Sequence, residues 1–261
     1  MTISSSRRIR TMANIKILLD AGHYGKYNLS PCQTSEKYYE SDFSWALHNL
    51  LKQELLRYGF VVGITRMSKA IDKEVYDRGQ MAKGYDLFLS LHSNAATAEV
   101  CDGVDRPVIC CPLKADKNVL TLGNKLGKAV LDVMKPVQNY YQIFQREHPN
   151  YPGYDYYGVL RGAIDAGCKY SFIIEHGFHT DTRCTEWLLK DENRKALAVA
   201  EAKAVADWFG VSAPAVSATP ASGKTIYRVQ VGAFSNKKYA DAMVTNLKKA
   251  GFDGYIVQDK G

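Results

Sequence analysis

Four residues of this 261-residue chain carry side chains that hold metals or move protons, at places where a fold could gather them. An apolar run over residues 15–19 leads through Asp20-Ala21-Gly22 to His23. A second, over residues 86–91, leads directly to His92 and then Ser93-Asn94, and a third, over residues 170–174, leads directly to Glu175. Glu40 stands just before a helical run at 41–58. Two imidazoles and one carboxylate make a catalytic zinc set that keeps a fourth position for water. A second carboxylate could then accept the proton of that water while the metal polarises a carbonyl. Spacing by itself leaves each histidine open to a structural role and each glutamate to a solvated one.

The elements that would position these residues alternate between two periods. Residues 41–58 repeat apolar side chains at Phe43, Leu47, Leu50, Leu51, Leu55 and Tyr58, a helical spacing that Gly59 stops. Residues 60–64 read as the next strand, 72–83 as a helix closed by Gly84, and 107–111 as an edge strand. A long helix is expected over 115–134 with Pro136 just beyond it, and two more over 182–190 and 191–209. This rhythm predicts an α/β fold: a twisted, mostly parallel sheet with helices on both faces. In such a sheet the carboxyl ends of parallel strands line one edge, where ligands bind, so His23, Glu40, His92 and Glu175 could converge there. Residues 135–157 fit no period and hold six tyrosines with Pro136, Pro149, Pro152 and Gly153, so a long surface loop is expected. His48, on the polar face of the first helix, and His148, in that loop, are expected to face solvent.

Composition bounds the remainder. At 46% hydrophobic and 23% charged, the chain is neither disordered throughout nor built around a membrane span. The net charge of +7 is concentrated at the ends: Arg7, Arg8 and Arg10 at the start, and seven basic against three acidic residues over 224–261. A basic tail on a neutral body suits an anionic polymer, cell wall as well as DNA. Six cysteines form no C-x-x-C pair and read as reduced, mostly buried thiols. Residues 1–12 show arginines with no apolar core behind them, so they are expected to be a disordered leader rather than a signal peptide. Residues 211–225 are almost entirely Val, Ser, Ala, Pro and Thr, the composition of a linker.

Several stretches share more than spacing. Leu19-Asp20-Ala21-Gly22-His23, Tyr39-Glu40-Ser41-Asp42, Thr65-Arg66, Asp77-Arg78-Gly79, the run from Leu87 to Ala95, Gly158-Val159-Leu160-Arg161 and Ile174-Glu175-His176-Gly177-Phe178 occur in that order. Through them residues 13–210 resemble the zinc-dependent N-acetylmuramoyl-L-alanine amidases. The resemblance implies zinc as cofactor, His23, Glu40 and His92 as its ligands, and Glu175 as the catalytic carboxylate. It also implies cleavage of the amide between the lactyl group of N-acetylmuramic acid and L-alanine of the stem peptide. The partner would be peptidoglycan and not nucleic acid. Asn94 is a candidate to hold a substrate carbonyl or to stabilise a turn, and Arg78 and Arg161 to hold a stem-peptide carboxylate. His176 and His179 do not stand at ligand positions of the pattern. The chain departs from that pattern at Tyr24, where glycine is usual, at Ser93, where alanine is usual, and at His179-Thr180-Asp181.

Residues 226–261 read as a small βαβ unit, and the stretch from Tyr227 to Ser235 resembles the opening of a SPOR domain, a module that binds glycan strands stripped of peptide. One of the two halves of such a domain is present, so two copies are expected to pair into a homodimer. The chain is expected to be made in the cytoplasm and to act at the wall after release, as an endolysin or a mother-cell lytic enzyme does. Two other functions compete with the amidase: a wall-binding protein with little turnover, and a zinc peptidase cutting within the stem peptide.

Overall fold

The computed structural model describes residues 15–212 and 236–249, with single positions 231, 232, 234, 252, 254 and 256. The chain divides into two units, residues 1–213 and 214–261. The expected leader, most of the expected linker and most strand positions of the expected βαβ unit lie outside the described residues. Of the second unit the helix is described, α7 (Lys237–Lys249), with Tyr239 63% exposed.

The first unit is an α/β sandwich around one six-stranded sheet. In chain order it runs β1 (Lys16–Ala21), α1 (Glu40–Arg57), β2 (Val61–Ile64), α2 (Val75–Gln80), β3 (Leu87–Asn94), β4 (Val108–Cys110) and α3 (Lys117–Met134). It continues through β5 (Gln142–Phe144), β6 (Glu147–His148), β7 (Tyr151–Asp155), α4 (Gly158–Asp165), β8 (Tyr170–Phe178), α5 (Thr182–Leu188) and α6 (Asp191–Phe209). The sheet order is β2-β1-β3-β8-β4-β5. The first four of these strands are parallel, β4 is antiparallel to β8, and β5 is parallel to β4.

Alternation along the strands divides the core in two. Ile17 and Leu19, Leu87, Leu89 and Leu91, and Phe172 and Ile174 pack with α1, α3 and α6. Leu18, Phe88, Val108, Cys110 and Ile173 pack on the other face with Val159, Leu160 and Ala163 of α4. Both faces of the central strands are therefore covered, which is why they read as continuous apolar runs. Each fully buried Leu or Phe contributes about 1.5–3 kcal/mol of transfer free energy to that arrangement. Asp116 caps α3, accepting from Asn118 N and Val119 N at 2.9 and 3.0 Å. On the second face α2 meets α4 through glycine: a Cβ on Gly79 would lie 2.1 Å from the Val159 carbonyl oxygen, so only hydrogen lets the helices close.

Four expectations need correction. Residues 107–111 are not an edge strand, because β5 pairs outside β4. Residues 135–157 are not a plain loop: they supply β5 and the β6–β7 hairpin, strands of two to five residues too short to show a period. The strands expected to stop at 91 and 174 run on to Asn94 and Phe178, carrying His92 and Glu175 within them. His48 does not face solvent; it is 1% exposed, its Nδ1 lies 2.9 Å from Trp45 O, and burial pulls its pKa down to about 4. All six cysteines are free, five buried and Cys101 half-buried.

Candidate active site

Because β1, β3 and β8 are parallel neighbours, the residues at their carboxyl ends share one edge of the sheet. The β1–β3 register sets Ala21 beside Leu91, and the β3–β8 register sets His92 beside Glu175. His23 follows β1 after one residue and adopts a left-handed backbone, φ 57°. The ensuing turn is pinned by Ser41, whose hydroxyl donates to Gly25 O and accepts from Tyr27 N, both at 2.9 Å. That turn delivers the chain to Glu40, the first residue of α1.

His23, Glu40 and His92 offer ligand atoms that all lie within 4.8 Å of one another. His23 Nε2 is 3.1 Å and His92 Nδ1 2.7 Å from the same oxygen, Glu40 Oε1. Ser93 N donates to that oxygen at 3.2 Å, and Asn28 Nδ2 donates to Glu40 Oε2 at 2.6 Å. Burial alone would raise the Glu40 pKa, but hydrogen bonds and charge from both histidines outweigh it and hold the carboxyl ionised, well below the usual range. Burial lowers the pKa of His92, which eases loss of the ring proton that a metal ion replaces. Two imidazole nitrogens and one ionised carboxylate, with both histidines partly open to solvent, match the donor set of a catalytic zinc site. The residues present therefore fit the ion.

Glu175 differs. It occupies the register position beside His92, about one strand spacing of 4.8 Å away. Val108 lies across from it on the other side, and Cys110 and Tyr157 are close enough to feel its charge. Its Oε2 is sealed from solvent without a hydrogen-bond partner. Desolvation first, and the charge of Glu40 second, push its pKa well above the usual value. A carboxyl so placed is primed to take a proton.

Beneath the cluster runs a polar layer that the sequence did not reveal. Tyr38 OH donates to Ser93 Oγ at 2.7 Å, and Ser93 Oγ meets His179 Nδ1 at 2.9 Å. Ser93 and His179, two of the departures from the family pattern, are thus bonded to each other. His176 is fully buried, with Nδ1 2.9 Å from His92 O and Nε2 2.8 Å from Glu201 Oε1 on α6. Tyr27 stacks on the His23 ring at 4.9 Å, and Tyr24, the third departure, stands beside it 40% exposed. Asn28 has a left-handed backbone, φ 52°, for which asparagine is a favoured residue, but no local motif marks it as a partner of Glu40.

The three expected substrate contacts fare differently. Arg78 is not at an open surface: it is 6% exposed, with Nη1 3.1 Å from Oδ2 of the fully buried Asp20, so its charge is committed within the protein. Arg161 donates through Nη1 to Asp155 O and Tyr156 O at 2.6 and 2.9 Å, anchoring the β7–α4 connection. Asn94 is partly exposed at the end of β3, and its Oδ1 accepts from Ala95 N at 2.8 Å, the turn-stabilising role.

The profile of the N-acetylmuramoyl-L-alanine amidases matches residues 17–207, a span that includes the whole cluster and Glu175. The chain belongs to this family. A SPOR-domain profile matches residues 195–259. Its first residues fall on α6, whose buried Leu197, Ala198, Ala202 and Val205 pack within the amidase unit. The N-acetylmuramoyl-L-alanine amidase CwlM of Bacillus licheniformis is 23% identical over 246 residues, 93% of this chain and 85% of that one. Among solved structures, an N-acetylmuramoyl-L-alanine amidase from Clostridium difficile 630 superposes with a TM-score of 0.62 at 17% identity, covering 76% of this chain and 98% of that one. Cwp6 from Clostridium difficile gives 0.64 at 21% identity, over 75% of this chain and 29% of its own. At these identities the superpositions establish the amidase fold of the sheet and helices described above.

Proposed function

We propose that this amidase hydrolyses peptidoglycan at the amide joining the lactyl group of N-acetylmuramic acid to L-alanine, with His23, Glu40 and His92 holding zinc and Glu175 moving the proton. The observation that carries the reading is the pairing of unlike carboxylates at one sheet edge: an ionised Glu40 between two histidines, and a desolvated Glu175 in register beside one of them, His92. Zinc bound by the three ligands would supply a Lewis acid that polarises the scissile carbonyl and acidifies the attacking water. Glu175 accepts the proton that water loses as its oxygen bonds to the carbonyl carbon. It then returns a proton to the alanine nitrogen as the C–N bond breaks. Asn28 and Ser93 N keep Glu40 aimed at the cluster throughout. Asn94, partly exposed two residues beyond His92, is the remaining candidate to orient a substrate carbonyl.

Mass spectrometry of purified cell-wall digests tests this. Glycan with free lactyl carboxyls together with peptides beginning at L-alanine is the expected product. Cuts within the stem peptide would replace the amidase with a peptidase, and wall binding without products would replace it with a binding protein. The site of action in this reading is the cell wall; among the described residues no helix is long and apolar enough to cross a membrane. The C-terminal unit belongs to the same reading as a glycan-binding, pairing module. Light scattering should give a dimer for the intact chain and a monomer for one ending at Gly210.

A further inference from the structure

The two ring nitrogens of His92 have different surroundings, Glu40 at Nδ1 and Ser90 at Nε2. Its ring lies against the backbone of Gly22: a Cβ there would sit 2.3 Å from His92 Cε1 and 2.5 Å from Nε2, so any side chain would evict the ring. This slot fixes the plane of the imidazole. It does not fix which edge faces Glu40, because the outline of the ring is nearly the same after a half-turn about Cβ–Cγ.

The hydrogen bonds do fix it. Asp20 and Ser90 are register partners on β1 and β3, and Ser90 and His92, two apart on one strand, share a face. Ser90 Oγ donates to Asp20 Oδ2 at 2.6 Å and lies 3.1 Å from His92 Nε2. Asp20 is fully buried and also receives Thr65 Oγ1 at 2.6 Å and Arg78 Nη1 at 3.1 Å. Burial would raise its pKa, yet Arg78, Ser90 and Thr65 hold it below the usual carboxylate value. An ionised carboxylate only accepts, and a serine hydroxyl has one hydrogen to give. With that hydrogen spent on Asp20, Ser90 can offer His92 only lone pairs, so Nε2 must carry a proton. Nδ1 donates to Glu40 Oε1 at 2.7 Å while no metal is bound, so it is the nitrogen whose proton the ion can replace.

We propose that Asp20 and Ser90 are positioning residues for the metal: the chain Arg78–Asp20–Ser90–His92 selects the imidazole tautomer that presents Nδ1 to zinc. The inference rests on reading His23, Glu40 and His92 as the zinc site. It differs from a direct carboxylate–histidine pair in passing through a hydroxyl, so the carboxylate stays with its arginine while the serine transmits its acceptor character.

Two measurements on the full chain test it, neither using enzymatic activity. Zinc affinity is measured by chelator competition for the wild type and Ser90→Ala, alongside the Tm of each metal-free protein. Loss of such an outer partner weakens metal binding by about 10–100-fold, and that is expected here with the metal-free Tm little changed. Long-range ¹H–¹⁵N spectra of the zinc-loaded wild type should show His92 protonated at Nε2 and metal-shifted at Nδ1. This second readout decides even if Ser90→Ala fails to fold. Equal zinc affinity in Ser90→Ala, or zinc on Nε2 in the wild type, overturns the relay while leaving the zinc site standing. Absence of zinc binding by the wild type overturns the site itself, and with it the relay.

Discussion

Glu40 and Glu175 reach the same edge of the sheet from different elements, one heading α1 and the other inside β8, and their surroundings treat a carboxyl group in opposite ways. Around Glu40 both oxygens are occupied, by His23, His92 and Ser93 N on one and by Asn28 on the other. Around Glu175 one oxygen is sealed without a partner, between Val108 on one flank and the cluster on the other. Two acids at one sheet edge, close enough for the charge of one to raise the pKa of the other, thus acquire two roles from environment, an anion and a proton carrier. The contrast also shows what the fold spends on function. The hydrogen bonds around Glu40 stabilise the folded chain, whereas the sealed oxygen of Glu175 opposes folding and persists because strand pairing holds it in place.

The severest way to break the contrast is to remove what Glu40 and the histidines hold. Chelation should reduce wall hydrolysis to background, and added zinc should restore it. His92→Ala should show the same loss with no recovery on zinc addition, read by turbidity of wall suspensions together with metal content. Retained hydrolysis in either case would mean that the cluster is structural. Next in size is Glu175→Gln, which removes the proton carrier and leaves the ligands untouched. The rate should fall by about 10²–10⁴-fold with zinc content unchanged. Near-normal turnover would move the proton-carrier role elsewhere.

A third carboxylate extends the comparison. Asp20 is more buried than Glu175 yet ionised, because Arg78 faces it. Arg78→Met should therefore strand a buried charge and cost about 3–5 kcal/mol of stability, measured by urea unfolding of the metal-free protein. A loss below about 1 kcal/mol would show that the pair behaves like a surface ion pair, and Arg78 would return to the list of groups free to meet substrate.

How far the sequence revealed this arrangement depends on the range over which each feature is decided. The helix α1 was legible because Phe43, Leu47, Leu51 and Leu55 repeat within one element and Gly59 stops it. The three cluster residues and Glu175 were legible because each adjoins an apolar run or a helix start, and parallel topology brings such places together. By contrast β5 and the β6–β7 hairpin are too short for periodicity and exist through partners 30 or more residues away or through a single turn. The helix α4 hides behind Gly158 and Gly162, residues poor for helix propensity but needed for its approach to α2. Nothing near Arg78 announces Asp20, 58 residues earlier, and nothing near His48 announces its burial. The relay through Ser90 left a faint local signal, a hydroxyl two residues before a ligand on the same strand face. It becomes interpretable only once the β1–β3 register places Asp20 beside it.

The finest test asks whether the two glutamates are opposed in energy as well as in role, using the same substitution at each in metal-free protein. Glu40→Gln removes a charge that both histidines stabilise and should destabilise the fold by about 1.5–3 kcal/mol near neutral pH. Its folded pKa lies below 4.5, so the wild-type stabilisation is present above the ordinary carboxylate range and fades as pH falls through the folded value. Glu175 has the reverse sign. Its folded pKa lies above 4.5, so the folded state holds the proton that the unfolded chain releases, and wild-type stability declines as pH rises through that interval. Glu175→Gln should abolish that decline, giving a higher Tm than wild type near pH 8 and no gain near pH 4. Part of the Glu175 shift comes from the charge of Glu40, so the gain from Glu175→Gln should shrink in a Glu40→Gln background, a coupling that a double-mutant cycle reads directly. If both single variants moved Tm in the same direction, or the cycle closed with no coupling, the two carboxyls would not be the opposed pair on which the division of labour depends.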